Sequence, residues 1–263
     1  MKPVLWDEPP ANWKLKEQVK VAFAIPGYGP IYPQVYANHL AVAAYTSRYL
    51  SFHHLGQLPV IGASDKMYLH SACNAIVEDF LSSDCTHIFW TEQDMLMPFY
   101  TIVKLLEHDK DICSGVYFLR KGNGQPCLYL KGDASIHTGI HSAVPVTLFP
   151  EDSFFQVHCP GMGCVLMKRE VFEKIEKPWF DLKEGWQGGK IYGYGQDIYW
   201  YSKVADAGLE VWVDSGIHCS QVMDCNVSLH DYRKRIADPE FKVIGAIITE
   251  GSPSIVQNAD VPE

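Results

Sequence analysis

The chain has 263 residues, with 31 acidic and 22 basic side chains and a formal net charge of −9 at pH 7. A chain of this length can bury a large core, so it needs neither disulfides nor a metal merely to fold. The negative charge argues against a sequence-independent binder of duplex DNA, which needs a cationic field. If the substrate is anionic, a positive group such as a metal ion must offset the repulsion.

The chain ends and the cysteines predict a cytoplasmic protein. No apolar run approaches the roughly 20 residues that span a bilayer. Residues 1–18 form a mixed, aperiodic arm without the order of a signal peptide. The eight cysteines are scattered and contain no C-x-x-C pair, which indicates reduced core residues. Intact disulfides in a secreted protein are the alternative.

Strand and helix patterns alternate through residues 19–117. The patterns predict strands at 19–25, 58–62, 86–90 and 111–117, and helices at 34–50, 67–81 and 98–106. This alternation is typical of βαβ units and of an α/β fold with a mainly parallel central sheet flanked by helices. Ligands of such sheets bind beyond the carboxyl ends of the strands.

The rest of the chain is more mixed and richer in glycine. The patterns predict antiparallel strands at 126–130 and 144–149, strands at 161–167 and 210–214, and helices at 168–175 and 196–207. We expect one domain over residues 19–249, with a regular half at 19–117 and a mixed half at 118–249. Residues 250–263 are polar and acidic, and we expect a flexible tail.

Glu92-Gln93-Asp94 is the sharpest motif, because it follows the buried strand pattern Ile88-Phe89-Trp90. Two carboxylates at positions i and i+2 on a turn can point at one hard cation. Oxygen ligands suit Mg²⁺ or Mn²⁺, and such an ion would bridge a diphosphate. The alternative is an acidic turn that only solvates the end of a strand.

Two further candidates lie in the second half of the chain. Asp197 stands in the first turn of a predicted helix, after Gly193 and Gly195. Its carboxylate either only interacts with the positive end of the helix dipole, or acts as a general base, or orients a hydroxyl group. His218 follows a predicted strand and can ligate Mn²⁺ if it meets Asp94 in space. The alternative for His218 is a packed or surface residue.

Glycines mark two loops where backbone can approach a ligand. The segment 27–32 contains Gly27 and Gly29 but lacks the third glycine of a dinucleotide-binding fingerprint, and Pro30 interrupts it. We therefore reject NAD binding, although this loop can still hold a nucleotide base against Tyr28. Gly161 and Gly163 precede a strand, which indicates either tight packing or close approach of the backbone to a sugar.

Taken together, residues 19–222 resemble the GT-A glycosyltransferases, in their family-2-like branch. Residues 21–26 are similar to the first strand and nucleotide loop of that family, and residues 74–95 to the helix and strand that lead into its D-x-D motif. Residues 161–172 resemble the acceptor-side strand and helix. Residues 195–214 resemble the G-E-D helix and the strand after it, and His218 falls where the family often has a metal-binding histidine.

The resemblance implies a metal-dependent transferase that moves a sugar from a nucleotide-diphosphate sugar to an acceptor hydroxyl. Residues 19–117 would then be the nucleotide-binding half and 118–249 the acceptor-binding half. The implied roles are metal binding for Asp94 and His218 and catalysis for Asp197. The implied donor-binding residues are Pro26, Tyr28, Glu92, Gln93, Gly161 and Gly163. Mn²⁺ or Mg²⁺ would neutralise the leaving diphosphate.

Three departures from the family pattern affect these roles. D-x-D is Glu-x-Asp here, which makes Asp94 the safer metal ligand and leaves Glu92 to hold ribose or water. G-E-D is Gly-Gln-Asp, so only Asp197 can act as a carboxylate. It would be the base if the reaction inverts, and would position the acceptor if it retains. Cys73 stands where the family often has an arginine, so the usual phosphate or sugar contact is in doubt.

Two other functions stay open. A nucleotidyltransferase has a similar fold, but the loop at 27–30 lacks the arginine and lysine that it would want. A catalytically inactive carbohydrate-binding protein would have lost its metal ligands, whereas Asp94 and His218 are present. The expected acceptor is a glycan or another hydroxyl compound. Nucleic acid as acceptor would depend on the local basic strip Arg233-Lys234-Arg235.

Overall fold

The structure is a computed structural model, and it describes residues 19–27, 31–52, 60–62, 67–119, 124–136, 138–187, 190–222, 228–239, 241, 246–249 and 252–254. The predicted arm 1–18, Tyr28 and most of the predicted tail lie outside the described residues. The helices are α1 (Pro33–Phe52), α2 (Leu69–Ser82), α3 (Thr101–Glu107), α4 (Arg169–Lys174), α5 (Gln196–Asp206) and α6 (Leu229–Ile236).

The strands alternate with helices in the first half and follow one another more closely afterwards. They are β1 (Val21–Ile25), β2 (Val60–Gly62), β3 (His87–Thr91), β4 (Met95–Leu96), β5 (Ile112–Val116), β6 (Tyr129–Ala134), β7 (His141–Leu148), β8 (Phe154–Val157), β9 (Cys164–Lys168), β10 (Lys183–Gln187), β11 (Lys190–Tyr194), β12 (Val211–His218), β13 (Ser220–Gln221), β14 (Ala246–Thr249) and β15 (Ser252–Ser254).

The central sheet confirms the predicted α/β fold. Its described strands have the order β2-β1-β3-β9-β5-β12-β8. Strands β2, β1, β3, β5 and β12 run in the same direction, while β9 and β8 run antiparallel to their neighbours. The sheet is therefore mainly parallel, with β9 inserted in the opposite direction between β3 and β5.

Both faces of this sheet are buried, which explains why its strands are continuously apolar. Ala22 and Ala24 of β1 contribute to one core cluster, which includes residues of α2, α4 and α5. Val21 and Phe23 contribute to a second cluster, which includes residues of α1 and α3. Since successive side chains of a strand point to opposite faces, each inner strand contributes to both clusters.

Smaller sheets surround the central one. Strands β15-β14-β7-β6 form a four-stranded sheet, in which β6 and β7 are the predicted antiparallel pair with shifted bounds. Strands β10 and β11 form a hairpin that the sequence did not predict, and Gly193 lies in β11. Strands β4 and β13 form a third small sheet, of two residues each.

The structure corrects three expected boundaries. Pro98 does not open α3: its carbonyl accepts hydrogen bonds from the backbone and hydroxyl of Thr101, where the helix begins. His218 is the last residue of β12 rather than lying beyond it. Residues 252–254, expected in the flexible tail, pair with β14 as strand β15.

The described cysteines are buried and form no disulfide, and Cys225 lies outside the described residues. Among the described helices, none is both long enough and apolar enough to cross a membrane.

Candidate active site

Almost all of the predicted site residues lie at the carboxyl ends of the parallel strands, which we call the carboxyl edge of the central sheet. The parallel strands β1, β3, β5 and β12 end there, followed by Pro26, Glu92, Tyr117 and Cys219 respectively. Strand β9 runs the other way and therefore begins at this edge, just after Gly161 and Gly163. A mainly parallel sheet places its ligand site at this edge.

The turn after β3 contacts the loop after β1. Pro26 is buried, and a Cβ atom at Gly27 would lie only 2.5 Å from Gln93 Oε1. The side chain of Gln93 therefore packs directly against the backbone of this loop. The predicted nucleotide loop and the Glu92–Asp94 turn are neighbours, as the topology of parallel strands requires.

Glu92 and Gln221 meet across this edge. The amide Nε2 of Gln221 donates a hydrogen bond of 3.3 Å to Glu92 Oε2. Gln221 is almost fully buried, and the pairing of β13 with Met95 fixes its backbone. The sequence did not indicate Gln221, because it lies in a short stretch without clear strand or helix periodicity.

Asp94 and His218 approach the same edge from different strands. Asp94 is 6% exposed, and its carbonyl accepts a 2.7 Å hydrogen bond from the backbone of Val222. His218 lies four residues before Val222, near Glu151, and its Nε2 is buried without a hydrogen-bond partner among the described residues. No group of three metal-binding side chains occurs in the described part of the chain. A cation shared by Asp94 and His218 stays a prediction.

The loop before β9 is built so that backbone, not side chain, faces the site. Gly161 has φ = +69°, and a Cβ atom there would lie 2.0 Å from the Tyr117 hydroxyl. Its carbonyl accepts a 2.8 Å hydrogen bond from the hydroxyl of Tyr201 in α5. The carbonyl of Gly163 accepts a 2.9 Å hydrogen bond from Thr91 Oγ1. These contacts show that the two glycines are tightly packed, and they leave the predicted approach of the backbone to a sugar untested.

We expect Gly161→Ala to lower the free energy of unfolding by about 2–4 kcal/mol, because it combines a left-handed backbone with a clash against Tyr117. Gly193→Ala is the matched control, since its nearest neighbour would be a Glu184 side-chain atom at 4.0 Å. Urea unfolding of both variants measures the difference. Equal stability of the two variants would show that the Gly161 loop relaxes freely.

Helix α5 places Asp197 opposite this glycine loop. Trp200 is fully buried and stacks between Phe172 and Phe180, at ring-centroid distances of 4.9 and 5.3 Å. Tyr201, which bonds Gly161, lies four residues after Asp197, so the two side chains share one face of the helix. The aromatic anchor and the Tyr201 bond therefore fix the first turn of α5 at the edge of the sheet.

The environment of Asp197 acts on its carboxyl in two directions. Burial raises the pKa of its carboxyl from 3.8 to about 6, while a hydrogen bond from Gln196 lowers it. The helix N-terminus also favours the ionised form, because its dipole stabilises a carboxylate. Loss of water around the carboxyl outweighs that stabilisation, because desolvation disfavours the charged form.

Glu92 and Asp197 both affect the pKa values of the same neighbouring side chains. After burial, which is the largest cause, the charges of Asp197 and Glu92 both raise the pKa of the Cys73 thiol. The same two charges also raise the pKa of Tyr117, after burial and Cys127. Glu92 and Asp197 therefore lie around one shared space.

That space is a cavity of about 660 Å³, in the usual size range of small-molecule sites. Its lining comprises Glu92, Tyr117, Leu119, Cys127, Tyr129, Cys159, Gly161, Gly195, Gln196, Asp197, Ile198 and Gln221. Of these, Glu92, Gly161, Gly195, Gln196 and Asp197 belong to motifs recognisable in the sequence. Tyr117 was missed, although it follows the buried strand β5 as Glu92 follows β3. The remaining lining residues carry no local signal.

Comparison with solved structures shows that this mixed α/β fold is shared with a GT-A glycosyltransferase. The chain is similar to A197 from STIV, with a TM-score of 0.50 and 15% identity over 92% of this chain and 100% of that chain. It is also similar to GalNAc-T7, crystallised with UDP, GalNAc and Mn²⁺, with a TM-score of 0.50 and 10% identity. The second match covers 78% of this chain and 43% of GalNAc-T7.

A weaker likeness, with a TM-score of 0.41 and 12% identity, is to the inositol-1-phosphate CTP transferase from T. maritima, and it carries no argument. No protein-family model matches the sequence, and no curated protein is significantly similar to it. At these identities the comparisons define the fold alone.

Proposed function

We propose that this protein is a glycosyltransferase that moves a sugar from a nucleotide-diphosphate sugar to an acceptor hydroxyl. The observation that carries the proposal is the pairing of Glu92 and Asp197 around one cavity at the carboxyl edge of the sheet. Asp197 has the pKa of about 6 that suits a general base near neutral pH. The shared GT-A fold supports the same class of reaction.

Asp197 is the proposed catalytic base. With a pKa of about 6, roughly nine-tenths of its carboxyl groups are ionised at pH 7. An ionised oxygen of Asp197 takes the proton from the acceptor hydroxyl. At the same time, the oxygen of the acceptor bonds to the anomeric carbon, as the bond from that carbon to the nucleoside diphosphate breaks. The Gln196 hydrogen bond holds the carboxyl in place while the proton is transferred.

The rest of the cavity suits the hydroxyl groups of a sugar. Glu92 accepts hydrogen bonds, and the amide of Gln221 both donates and accepts them. Tyr117 and Tyr129 add aromatic surface and hydroxyl groups to the lining. The donor sugar would lie against the backbone of Gly161, which lines the cavity. Gly163, the other predicted contact, packs against the side chains of Tyr117 and Met95, so it would act through the shape of the loop.

The nucleotide is proposed to lie over the loop after β1, beside the cavity. Its base would contact Tyr28, and its diphosphate would lie near the Glu92–Asp94 turn. The contact between Gly27 and Gln93 supports this placement, because it makes the loop and the turn adjacent.

A divalent cation is part of the proposal, with Asp94 and His218 as its ligands from the protein. Asp94 offers a buried carboxylate, and His218 offers a buried Nε2 that has no partner among the described residues. These two donor types fit Mn²⁺ or Mg²⁺. Substrate phosphates and water commonly complete such sites, which is consistent with the lack of a three-ligand group in the described residues. When bound, the cation would offset the negative charge of the diphosphate.

The acceptor is proposed to be a glycan or another hydroxyl compound rather than nucleic acid. Arg233 of the basic strip on α6 pairs with Glu151 through two hydrogen bonds. Arg235 lies over the ring of Phe241 at 5.2 Å. Two of the three cations in this strip are therefore engaged within the protein.

We expect slow release of nucleoside diphosphate when the protein is incubated with a matching nucleotide sugar and Mn²⁺, with water replacing the acceptor. Separate reactions with UDP-, GDP-, ADP- and CDP-sugars, analysed by mass spectrometry, test this. UDP-sugars come first, because GalNAc-T7, which shares the fold, was crystallised with UDP and Mn²⁺.

Parallel reactions separate the other candidate functions. A nucleotidyltransferase would release pyrophosphate from a nucleoside triphosphate and a sugar phosphate. An inactive carbohydrate-binding protein would bind a nucleotide sugar or a glycan without cleaving either. Pyrophosphate release, or binding without cleavage, would overturn the proposed transfer reaction.

A further inference from the structure

Helix α1 is bonded to the strand that follows the Glu92–Asp94 turn. Asn38 Nδ2 donates a 2.8 Å hydrogen bond to the carbonyl of Met97, and Asn38 Oδ1 accepts a 3.0 Å hydrogen bond from the Met97 amide. The next residue of α1, His39, lies 3.0 Å through Nε2 from the carbonyl of Met95. Three side-chain hydrogen bonds thus join α1 to residues 95–97.

The chemistry of His39 fixes the direction of its bond. Burial lowers the pKa of its imidazole to about 4, so the ring is neutral near pH 7. A carbonyl oxygen can only accept, and therefore Nε2 carries the hydrogen and donates it to Met95. The ring also packs on Phe23 of β1 at 5.6 Å between centroids, which holds it in position.

The segment at residues 95–97 forms a short strand pairing with few backbone hydrogen bonds of its own. Strands β4 and β13 pair through two residues each, and isolated two-stranded sheets are marginal even when they are longer. Yet this small sheet carries Gln221 to Glu92, and the Val222 amide to the carbonyl of Asp94. The buried side chains of Met95 and Met97 anchor this segment in the core, whereas the bonds from Asn38 and His39 hold its backbone.

We propose that Asn38 and His39 are positioning residues for the nucleotide-sugar site. They act through β4 and β13 to hold the Glu92–Asp94 turn and Gln221 in register with each other. This inference rests on the proposed function for its effect on ligand binding, whereas the mechanical part stands on the hydrogen bonds alone.

The experiment compares Asn38→Leu with the control variant Thr86→Val. Thr86 makes similar side-chain hydrogen bonds to the backbone at the opposite ends of the strands. The Thr86 hydroxyl accepts a 2.9 Å hydrogen bond from the Lys20 amide and donates a 3.2 Å hydrogen bond to the Lys20 carbonyl. Thr86→Val thus also removes two side-chain bonds to one backbone residue, together with a 2.9 Å contact between the Thr86 hydroxyl and His87 Nδ1. His39→Phe, which removes a single bond, serves if Asn38→Leu fails to fold.

The first readout is amide hydrogen exchange of the full chain without ligand. We expect the amides of Met97 and Val222 to exchange about tenfold or more faster in Asn38→Leu, because lost hydrogen bonds lower the local opening free energy. His39→Phe should show the same pattern more weakly. Thr86→Val should leave these two amides unchanged. Unchanged exchange at Met97 and Val222 in the α1 variants would overturn the proposal.

The second readout is the affinity for UDP, GDP, ADP and CDP with Mn²⁺, measured by calorimetry. For whichever nucleotide binds the wild type, we expect Asn38→Leu to weaken binding about tenfold and Thr86→Val to leave it intact. Faster exchange with unchanged affinity would show that Asn38 and His39 stabilise this segment without positioning the ligand site, and it would overturn the inference. If no nucleotide binds the wild type, the proposed function fails, and the exchange data alone then decide whether α1 holds the turn.

Discussion

Asp197→Asn is expected to lower turnover by about 10²–10⁴-fold, the range that general-base catalysis contributes. The same substitution should stabilise the fold. Ionising a carboxyl whose pKa is raised from 3.8 to about 6 costs up to about 3 kcal/mol, and asparagine removes that cost while keeping an oxygen for Gln196. A more stable and less active variant is what a group retained for catalysis would give.

The pH dependence of both effects follows from the direction of the pKa shift. Folding raises the pKa of Asp197, so the cost of its charge is absent below about pH 4 and complete above about pH 6. The stability gain of Asp197→Asn should therefore vanish near pH 4. Wild-type turnover should fall as the pH drops below about 6, since the base becomes protonated. Thermal unfolding and rate measurements between pH 4 and 8 test both trends.

Asp206→Asn is the matched control on the same helix, because the Asp206 side chain is 62% exposed and bonds His141 rather than the cavity. It should change turnover little. If Asp197→Asn weakens donor binding but spares turnover, Asp197 is a binding or capping residue and the base lies elsewhere. If Asp197→Asn unfolds the protein, the first turn of α5 needs this carboxyl for stability.

Asp94→Ala is expected to abolish the part of nucleotide binding that depends on Mn²⁺. Removing a carboxylate ligand leaves the diphosphate without the cation that would offset its charge, in a chain of net charge −9. His218→Ala should reduce the same Mn²⁺-dependent part. Calorimetric titrations with a nucleoside diphosphate, with and without Mn²⁺, measure these effects.

Asp84→Asn is the control for the metal variants. Asp84 precedes β3 as Asp94 follows it, and its side chain is 77% exposed at the opposite edge of the sheet. It should leave binding with Mn²⁺ intact. Unchanged Mn²⁺-dependent binding in Asp94→Ala would refute the metal assignment. So would a complex in which Asp94 and His218 lie more than roughly 8 Å apart, too far to share an ion.

The fold was predictable because its main signals are local. The strand patterns at 19–25 and 86–90 are continuously apolar, and both faces of these strands are buried. The insertion of β9 between β3 and β5 was not predictable from its own residues. Which strand a segment pairs with depends on packing between distant parts of the chain, and that choice leaves no trace in local periodicity.

Some residues of the candidate site were predictable from local patterns, and others were not. Glu92 and Asp197 stand at the ends of recognisable elements, so their positions could be predicted. Gln221 reaches the cavity through the pairing of β13 with β4, and no local residue pattern indicates that pairing. The raised pKa of Asp197 was also missed, because the helix N-terminus is a local feature whereas burial by distant parts of the chain is a tertiary one.

The most direct test is a crystal structure of the protein with Mn²⁺ and the nucleotide sugar that binds it most tightly. We expect the base over the loop at residues 26–29, the diphosphate near Asp94, and the sugar in the cavity within reach of Asp197. A nucleotide bound only to residues after 120, away from the Glu92–Asp94 turn, would contradict the account.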